Sequence, residues 1–113
     1  MQLSNESMAN HTFLKEMYED SYFPDAVVKQ CEEVLLTLCR EIEQGKPASL
    51  SALYELSHAA TERINALEDA FEEHGSEIET TAREAIADDF ARIARAYGFA
   101  DADIEELIAP RHW

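Results

Sequence analysis

The sequence predicts an all-α fold, an antiparallel bundle of three long helices with a short helix at each end. Apolar residues recur at steps of three and four along three segments, as on the buried face of a helix. No run alternates with the period of two that a half-buried strand shows. Glycine and proline stand only at the ends of these segments, and the short linkers between them favour antiparallel neighbours.

The N-terminal part of the chain is predicted to hold a tail and one short helix. The opening MQLSNES is polar and lacks the basic and then apolar order of a signal peptide. We therefore expect residues 1–9 to be a flexible tail and residues 10–113 to form a single helical domain. The first short helix should run from about His11 to Glu19.

The first long helix is predicted from Pro24 to Gln44. A proline suits the first turn of a helix, because the N–H that it lacks would have no partner there. Cys31 and Cys39 lie on or beside the apolar stripe, about 12 Å apart along the helix axis, too far for a disulfide. We expect both to be reduced core thiols. The stripe itself consists of Val28, Cys31, Leu35, Leu38 and Ile42.

The other two long helices are predicted over Leu50–His74 and Glu77–Tyr97. Ser76 and Glu79 have the spacing of a capping box, in which each side chain bonds the backbone N–H of the other residue. A glycine follows each long helix, where a left-handed C-terminal cap favours that residue. These glycines are Gly45, Gly75 and Gly98.

The last short helix is predicted within the segment GFADADIEELI, with Asp101 or Asp103 as its N-cap and Pro110 beyond its end. The alternating carboxylates of this segment also resemble the start of an EF-hand calcium loop. Glu106 stands where that loop needs glycine, so we interpret the acids as favourable partners of the helix dipole.

The charge is the most unusual property of the composition, with 24 acidic and nine basic residues and a net charge of −15. Such a chain lacks the basic groups that bind nucleic acid or anionic membranes. No apolar run is long enough to cross a bilayer, and we expect a cytoplasmic protein. A basic protein is the partner that the charge favours, with solubility alone as the alternative.

The stretch MYEDSYFPD, Met17 to Asp25, is predicted to be an elbow between the first two helices. Phe23 is placed to pack on an early apolar residue of the following helix. Tyr18, Asp20 and Tyr22 make the elbow an aromatic edge among carboxylates, which also suits a cationic partner. The structural interpretation and the binding interpretation both stay open here.

A second candidate surface is the stretch EDAFEEHGSEIE, Glu68 to Glu79, which has six acidic residues and no Lys or Arg. Glu72 and Glu73 stand at a predicted helix C-terminus, where the helix dipole disfavours anions, and Glu77 follows at the next helix start. A locally unfavourable choice of this kind indicates a binding edge, unless acidic helix ends are general in this chain. The terminal Trp113 is expected to dock on its own bundle or on a second copy.

Two patterns bear on metal binding. Glu55 and His58 form one E-x-x-H step, whereas carboxylate-bridged di-iron bundles need two such steps and two further glutamates. Glu84, Asp88 and Asp89 offer carboxylates on one helix, as a helical metal-dependent hydrolase requires. We predict no bound metal and no other cofactor, because neither pattern is complete.

Three stretches carry a resemblance to a known family: the elbow DSYFPD, the helix SEIETTAREAIADDF and the C-terminus IEELIAPRHW. With these stretches, the chain resembles a small bacterial family catalogued only as a domain of unknown function, over about Asn10 to Trp113. The resemblance implies an all-helical bacterial cytosolic protein. It brings no activity, cofactor or catalytic residue.

Three functions therefore stay open for this chain. The first is a non-enzymatic interaction module that masks a basic partner, as immunity proteins, antitoxins and inhibitors do. The alternatives are a metal-dependent hydrolase and a self-associating structural protein, such as a homodimer. The residues expected to contact a partner are Tyr18, Asp20, Tyr22, Glu72, Glu73, Glu77 and Trp113.

Overall fold

The computed structural model describes residues 3–113, and every regular element in this part of the chain is a helix. The all-α prediction is therefore confirmed. Within the same residues, no helix is long and apolar enough to cross a membrane. The helices are α1 (Glu6–Ala9), α2 (Lys15–Glu19), α3 (Asp25–Gly45), α4 (Leu50–Asn65), α5 (Glu68–Glu73), α6 (Thr80–Ala96) and α7 (Ile104–Leu107).

The longest helix, α3, packs against both α4 and α6 and buries the stripe predicted for it. Each of the five residues in that stripe is at most 3% exposed. Cys31 and Cys39 are buried free thiols, as expected, and burial raises the pKa of each to about 12. Neither side chain forms a reactive thiolate at neutral pH, so both serve as core residues.

The second long helix is shorter than predicted. A single helix over Leu50–His74 is wrong, because α4 ends at Asn65 and a separate helix, α5, follows. The N–H of Leu67 donates to the carbonyl of Ile64 at 2.9 Å, which tightens the chain into a 3₁₀-type turn. The change of direction still leaves Phe71 of α5 fully buried in the core.

The third long helix begins at Thr80, three residues later than predicted, because Ser76 closes α5 instead of capping α6. The Ser76 N–H donates to the carbonyl of Phe71 at 2.9 Å, and Gly75 before it has a left-handed φ of 74°. These are the features of a Schellman cap. Glu79 is the N-cap of α6 and makes no side-chain cap bond, so the predicted capping box does not form.

Two of the three glycine caps are confirmed. Gly75 and Gly98 follow α5 and α6 with φ of 74° and 90°. Gly45 is instead the last residue of α3, and Lys46 takes the left-handed position with a φ of 45°. The N–H of Lys46 donates to the carbonyl of Ile42 at 2.9 Å. A lysine therefore occupies a conformation that its Cβ disfavours.

Residues 3–14, here called the N-terminal strap, pack against the bundle. The sequence predicted a flexible tail over residues 1–9; residues 1 and 2 lie outside the described part of the chain, and Leu3 and Met8 are buried in the core. Within the strap, Asn5 caps α1 by accepting the N–H of Met8 at 3.1 Å. The apolar side chains of this mostly polar segment therefore contribute to the hydrophobic core.

The short helices predicted at the two ends of the bundle, α2 and α7, each span only four or five residues. The first predicted helix starts only at Lys15, because Leu14 before it has a left-handed φ of 54°. At the other end, Asp103 accepts the N–H of Glu105 at 2.9 Å and caps α7. Of the two N-cap candidates in the sequence, Asp103 is the one used.

Candidate functional site

The elbow between α2 and α3 is a turn with one aromatic ring buried and one exposed. The carboxylate of Asp20 accepts the N–H of Tyr22 at 2.9 Å and so organises the turn. Phe23 is 2% exposed, whereas Tyr22 is 44% exposed. The two rings meet edge to face, 5.1 Å apart between centroids. Tyr22 is the aromatic side chain that the elbow presents to solvent.

Tyr18, also predicted to contact a partner, is directed towards α3. Its hydroxyl donates to Oε1 of Glu32 at 2.6 Å, and its ring is half-buried. Burial raises the pKa of Tyr18, and the hydrogen bond and negative charge of Glu32 raise it further. The Tyr18 hydroxyl is thus bonded within the fold, so Asp20 and Tyr22 are the exposed ones among the three contact residues predicted in the elbow.

An aromatic pair joins the elbow to the acidic stretch. The rings of Phe23 and Phe71 meet edge to face at 6.4 Å, and both are buried. Glu72 and Glu73 follow Phe71 at the end of α5 and are exposed. The predicted elbow and the predicted acidic edge therefore lie side by side. We call this surface the acidic end; it comprises Asp20, Tyr22, Glu68, Glu72, Glu73, Glu77 and Glu79.

A hollow of about 270 Å³ opens within the acidic end. Four carboxylates and the indole of Trp113 line it, with Arg83 as the only Lys or Arg. The structure thus brings three of the predicted contact residues, Glu72, Glu77 and Trp113, to one concave site. The lining residues are Glu68, Glu72, Glu77, Ile78, Glu79, Arg83, His112 and Trp113.

Trp113 docks on its own chain and is 8% exposed. Asn65 holds the segment before it, because its amide donates to the Pro110 carbonyl at 3.0 Å and accepts the His112 N–H at 2.9 Å. The guanidinium of Arg111 lies 5.9 Å from the centroid of the indole ring. Of the two expected arrangements, the structure shows the one within a single chain, and Trp113 forms a wall of the hollow.

The carboxylates considered for metal binding do not converge. Glu84 and Asp88 are exposed on α6, whereas Asp89 is buried at 5% exposure. Nε2 of His58 lies 2.7 Å from the carbonyl oxygen of Glu106, so this ring contacts the backbone of α7. Across residues 3–113, no group of three His, Cys, Asp or Glu side chains is arranged to hold a metal ion.

Asp89 holds the strap, a role that sequence reasoning missed. Its Oδ1 lies 2.7 Å from Nε2 of His11, and its Oδ2 accepts the N–H of Leu14 at 2.8 Å. Burial raises the pKa of Asp89 despite both hydrogen bonds. The available signal was its position on the inward face of α6, three residues after Ile86 and four before Ile93.

Glu43 holds the other end of the strap, and it too was missed. It accepts the backbone N–H groups of Ser4 at 3.0 Å and Asn5 at 3.1 Å, and the hydroxyl of Tyr97 at 2.5 Å. Burial disfavours its charged form, but these hydrogen bonds outweigh that effect and lower the pKa of Glu43. Its partners are distant in sequence, so no local pattern indicated this role.

A family model described as a family of unknown function, DUF5713, matches residues 7–113. The match includes all three stretches on which the sequence resemblance rested. No curated protein and no solved structure matches the chain. The function of the acidic end is therefore argued from the geometry and charge of this chain.

Proposed function

Because the chain belongs to DUF5713, a family of unknown function, we propose a role for it from its own surface. It is a non-enzymatic cytoplasmic interaction protein whose acidic end masks a basic partner protein. Immunity proteins, antitoxins and inhibitors are the kinds of protein that act in this way. The observation that supports this role is the hollow in which four glutamates face one arginine.

The charge of the whole chain supports the same partner. A net charge of −15 attracts a basic surface over distances of about a Debye length, roughly 8 Å at physiological ionic strength. The carboxylates of the hollow would then contact individual Lys or Arg side chains. Steering of this kind raises the association rate and makes binding sensitive to salt.

The shape of the acidic end favours a partner that inserts a basic side chain. Trp113 gives the hollow an aromatic wall. The exposed ring of Tyr22 contacts Phe23, which in turn packs on Phe71 of α5. Guanidinium groups bind both carboxylates and aromatic faces, so arginine suits this combination better than lysine.

Self-association has less support than a basic partner. Trp113 is buried on its own chain, and the only large hydrophobic residues exposed between residues 3 and 113 are Tyr22 and Ile104. Two separated side chains do not form the apolar patch that a stable interface needs. For the fold, we also propose that α3, α4 and α6 form an antiparallel bundle. The short connection of residues 46–49 favours opposite directions for α3 and α4.

A pull-down from lysate of the native host tests the proposal. The wild-type chain should retain one basic protein at low salt, identified by mass spectrometry, and release it at high salt. The Glu72→Lys/Glu77→Lys variant should lose this protein, because both substitutions reverse the charge of the hollow.

The matched control is Glu55→Lys/Glu62→Lys, which changes the net charge equally at two exposed positions of α4. This control should still retain the basic protein. Equal retention by the hollow variant, or binding that is indifferent to salt, would contradict the proposal. Capture of a second copy of the chain would favour the homodimer instead.

A further inference from the structure

Arg40 on α3 carries a buried N–H donor that has no partner in the part of the chain that the structure describes. Its Nε is shielded from solvent and has no hydrogen-bond partner among the described residues. Across the same part of the chain, Arg40 also makes no ion pair within 4.0 Å, although the sequence has 24 acidic residues. Arg40 as a whole is half-buried, but a buried N–H donor without a partner is costly and calls for an explanation.

The side chain of Arg40 lines a hollow of about 210 Å³ beneath the N-terminal strap. The strap supplies Leu3, Met8 and Phe13 to this hollow, and α3 supplies Leu36. The guanidinium therefore stands beside apolar side chains of the strap and α3, in a hollow that His11 and Glu32 also line. None of the residues that line this hollow belongs to the acidic end.

We propose that this hollow binds a small aliphatic carboxylate, with the carboxylate on Arg40 and the alkyl group against Met8, Phe13 and Leu36. The planar guanidinium fork matches the two oxygens of a carboxylate. Drug-sized ligands occupy pockets of roughly 300–1,000 Å³, so this smaller hollow suits acids such as acetate, propionate or butyrate. The apolar side chains of the lining give the alkyl group contacts that inorganic phosphate cannot make.

Glu32 also lines the hollow, but its charge is already engaged. Its Oε1 accepts the hydroxyl of Tyr18 at 2.6 Å, and its Oε2 lies 3.7 Å from the ammonium of Lys29. These partners offset the repulsion that Glu32 would exert on a bound anion. Arg40 has no such partner among the described residues, so its positive charge is available to a bound anion.

The first test measures the melting temperature in sodium propionate against sodium chloride of equal ionic strength. Propionate should raise the melting temperature of the wild-type chain in a saturable way, because it binds only the folded state. Propionamide and propylammonium chloride should not, because they lack the carboxylate. An equal rise with propionamide would overturn the proposal.

The Arg40→Met variant keeps an apolar stem in the same place and removes the charge. In chloride it should be at least as stable as the wild type, because the unpartnered buried donor is gone. It should lose the response to propionate, whereas the control Arg95→Met, at an exposed position of α6, should retain it. A response that persists in Arg40→Met would overturn the proposal.

Nuclear magnetic resonance of the wild-type chain gives a readout that does not depend on how the variants fold. The resonance of the Arg40 Nε–H should shift with propionate and saturate with the same concentration dependence as the melting temperature. The Arg95 Nε–H serves as the internal control and should not move. An unmoved Arg40 resonance would contradict the site even if the melting temperature rose.

Discussion

Glu43 and Asp89 both form hydrogen bonds with the N-terminal strap, yet their protonation has opposite effects on the stability of the fold. The pKa of Asp89 is raised by burial, so the folded state binds a proton at Asp89 more tightly than the unfolded state does. Its protonation at low pH therefore favours folding. The pKa of Glu43 is lowered because the hydrogen bonds from the strap and Tyr97 outweigh its burial. Its protonation favours unfolding, which makes Glu43 the acid-sensitive anchor.

We predict that Glu43→Gln lowers the free energy of unfolding at neutral pH by about 1.5–3 kcal/mol, the value of hydrogen bonds to a charged group. The stabilising contribution of Glu43 is present above its ordinary pKa of 4.5 and is lost as the pH falls through its lower folded value. The variant should therefore lose less stability than the wild type below about pH 4.5. Urea denaturation across the acid range measures both effects.

The control for this substitution is Glu62→Gln, which removes the same charge from an exposed side chain of α4. Its stability should follow the wild type across the acid range. Parallel acid profiles for the wild type and Glu43→Gln would show that the strap does not depend on the Glu43 carboxylate.

At the scale of the elements, the helix ends are where this sequence and its fold differ most. The apolar stripe of α3 was predictable, because helical periodicity is a local property. The end of α4 was not, because the side chain of Asn65 binds the backbone of residues 110 and 112, which lie 45 and 47 positions further along. Ser76 and Glu79 have the spacing of a capping box, but the N–H of Ser76 donates to the carbonyl of Phe71 in the preceding helix.

The end of α3 gives a direct test of backbone conformation. Lys46 has a φ of 45°, one residue after a glycine that is still helical. We predict that Lys46→Gly raises the free energy of unfolding by about 1 kcal/mol, because glycine adopts the left-handed region without the cost that a Cβ imposes. The midpoint of urea denaturation measures the change.

Gly98→Ala provides the opposite substitution at the end of α6. Gly98 has a φ of 90°, and a Cβ added there meets nothing within 4 Å, so only the backbone conformation is affected. This variant should lose about 1 kcal/mol. If Lys46→Gly were instead less stable than the wild type, contacts of the lysine side chain would have to outweigh its backbone cost.

At the scale of the whole molecule, the same division between local and distant causes applies to the candidate site. Glu72 and Glu77 lie on exposed surface, and the sequence could single them out because charge and helix ends are readable along the chain. It could not show that Trp113 would close the same hollow, because that depends on how the C-terminal segment returns to α5 and α6. The strap was missed for the same reason, since its anchors lie 39 and 75 positions from the N–H groups they bind.

The net charge of −15 is itself a property of the whole molecule with a measurable consequence. Self-repulsion destabilises the compact state, so adding sodium chloride should raise the melting temperature by screening it. Surface ion pairs weaken in salt but contribute little here, because most of them have at least one exposed side chain. We expect a rise of a few degrees, since about 1 kcal/mol corresponds to about 4–8 °C in a domain near this size.

Magnesium chloride at matched ionic strength separates screening from a metal site. A further rise that saturates near one ion per chain would favour the hydrolase, whereas a curve that tracks ionic strength alone would support repulsion as the cause.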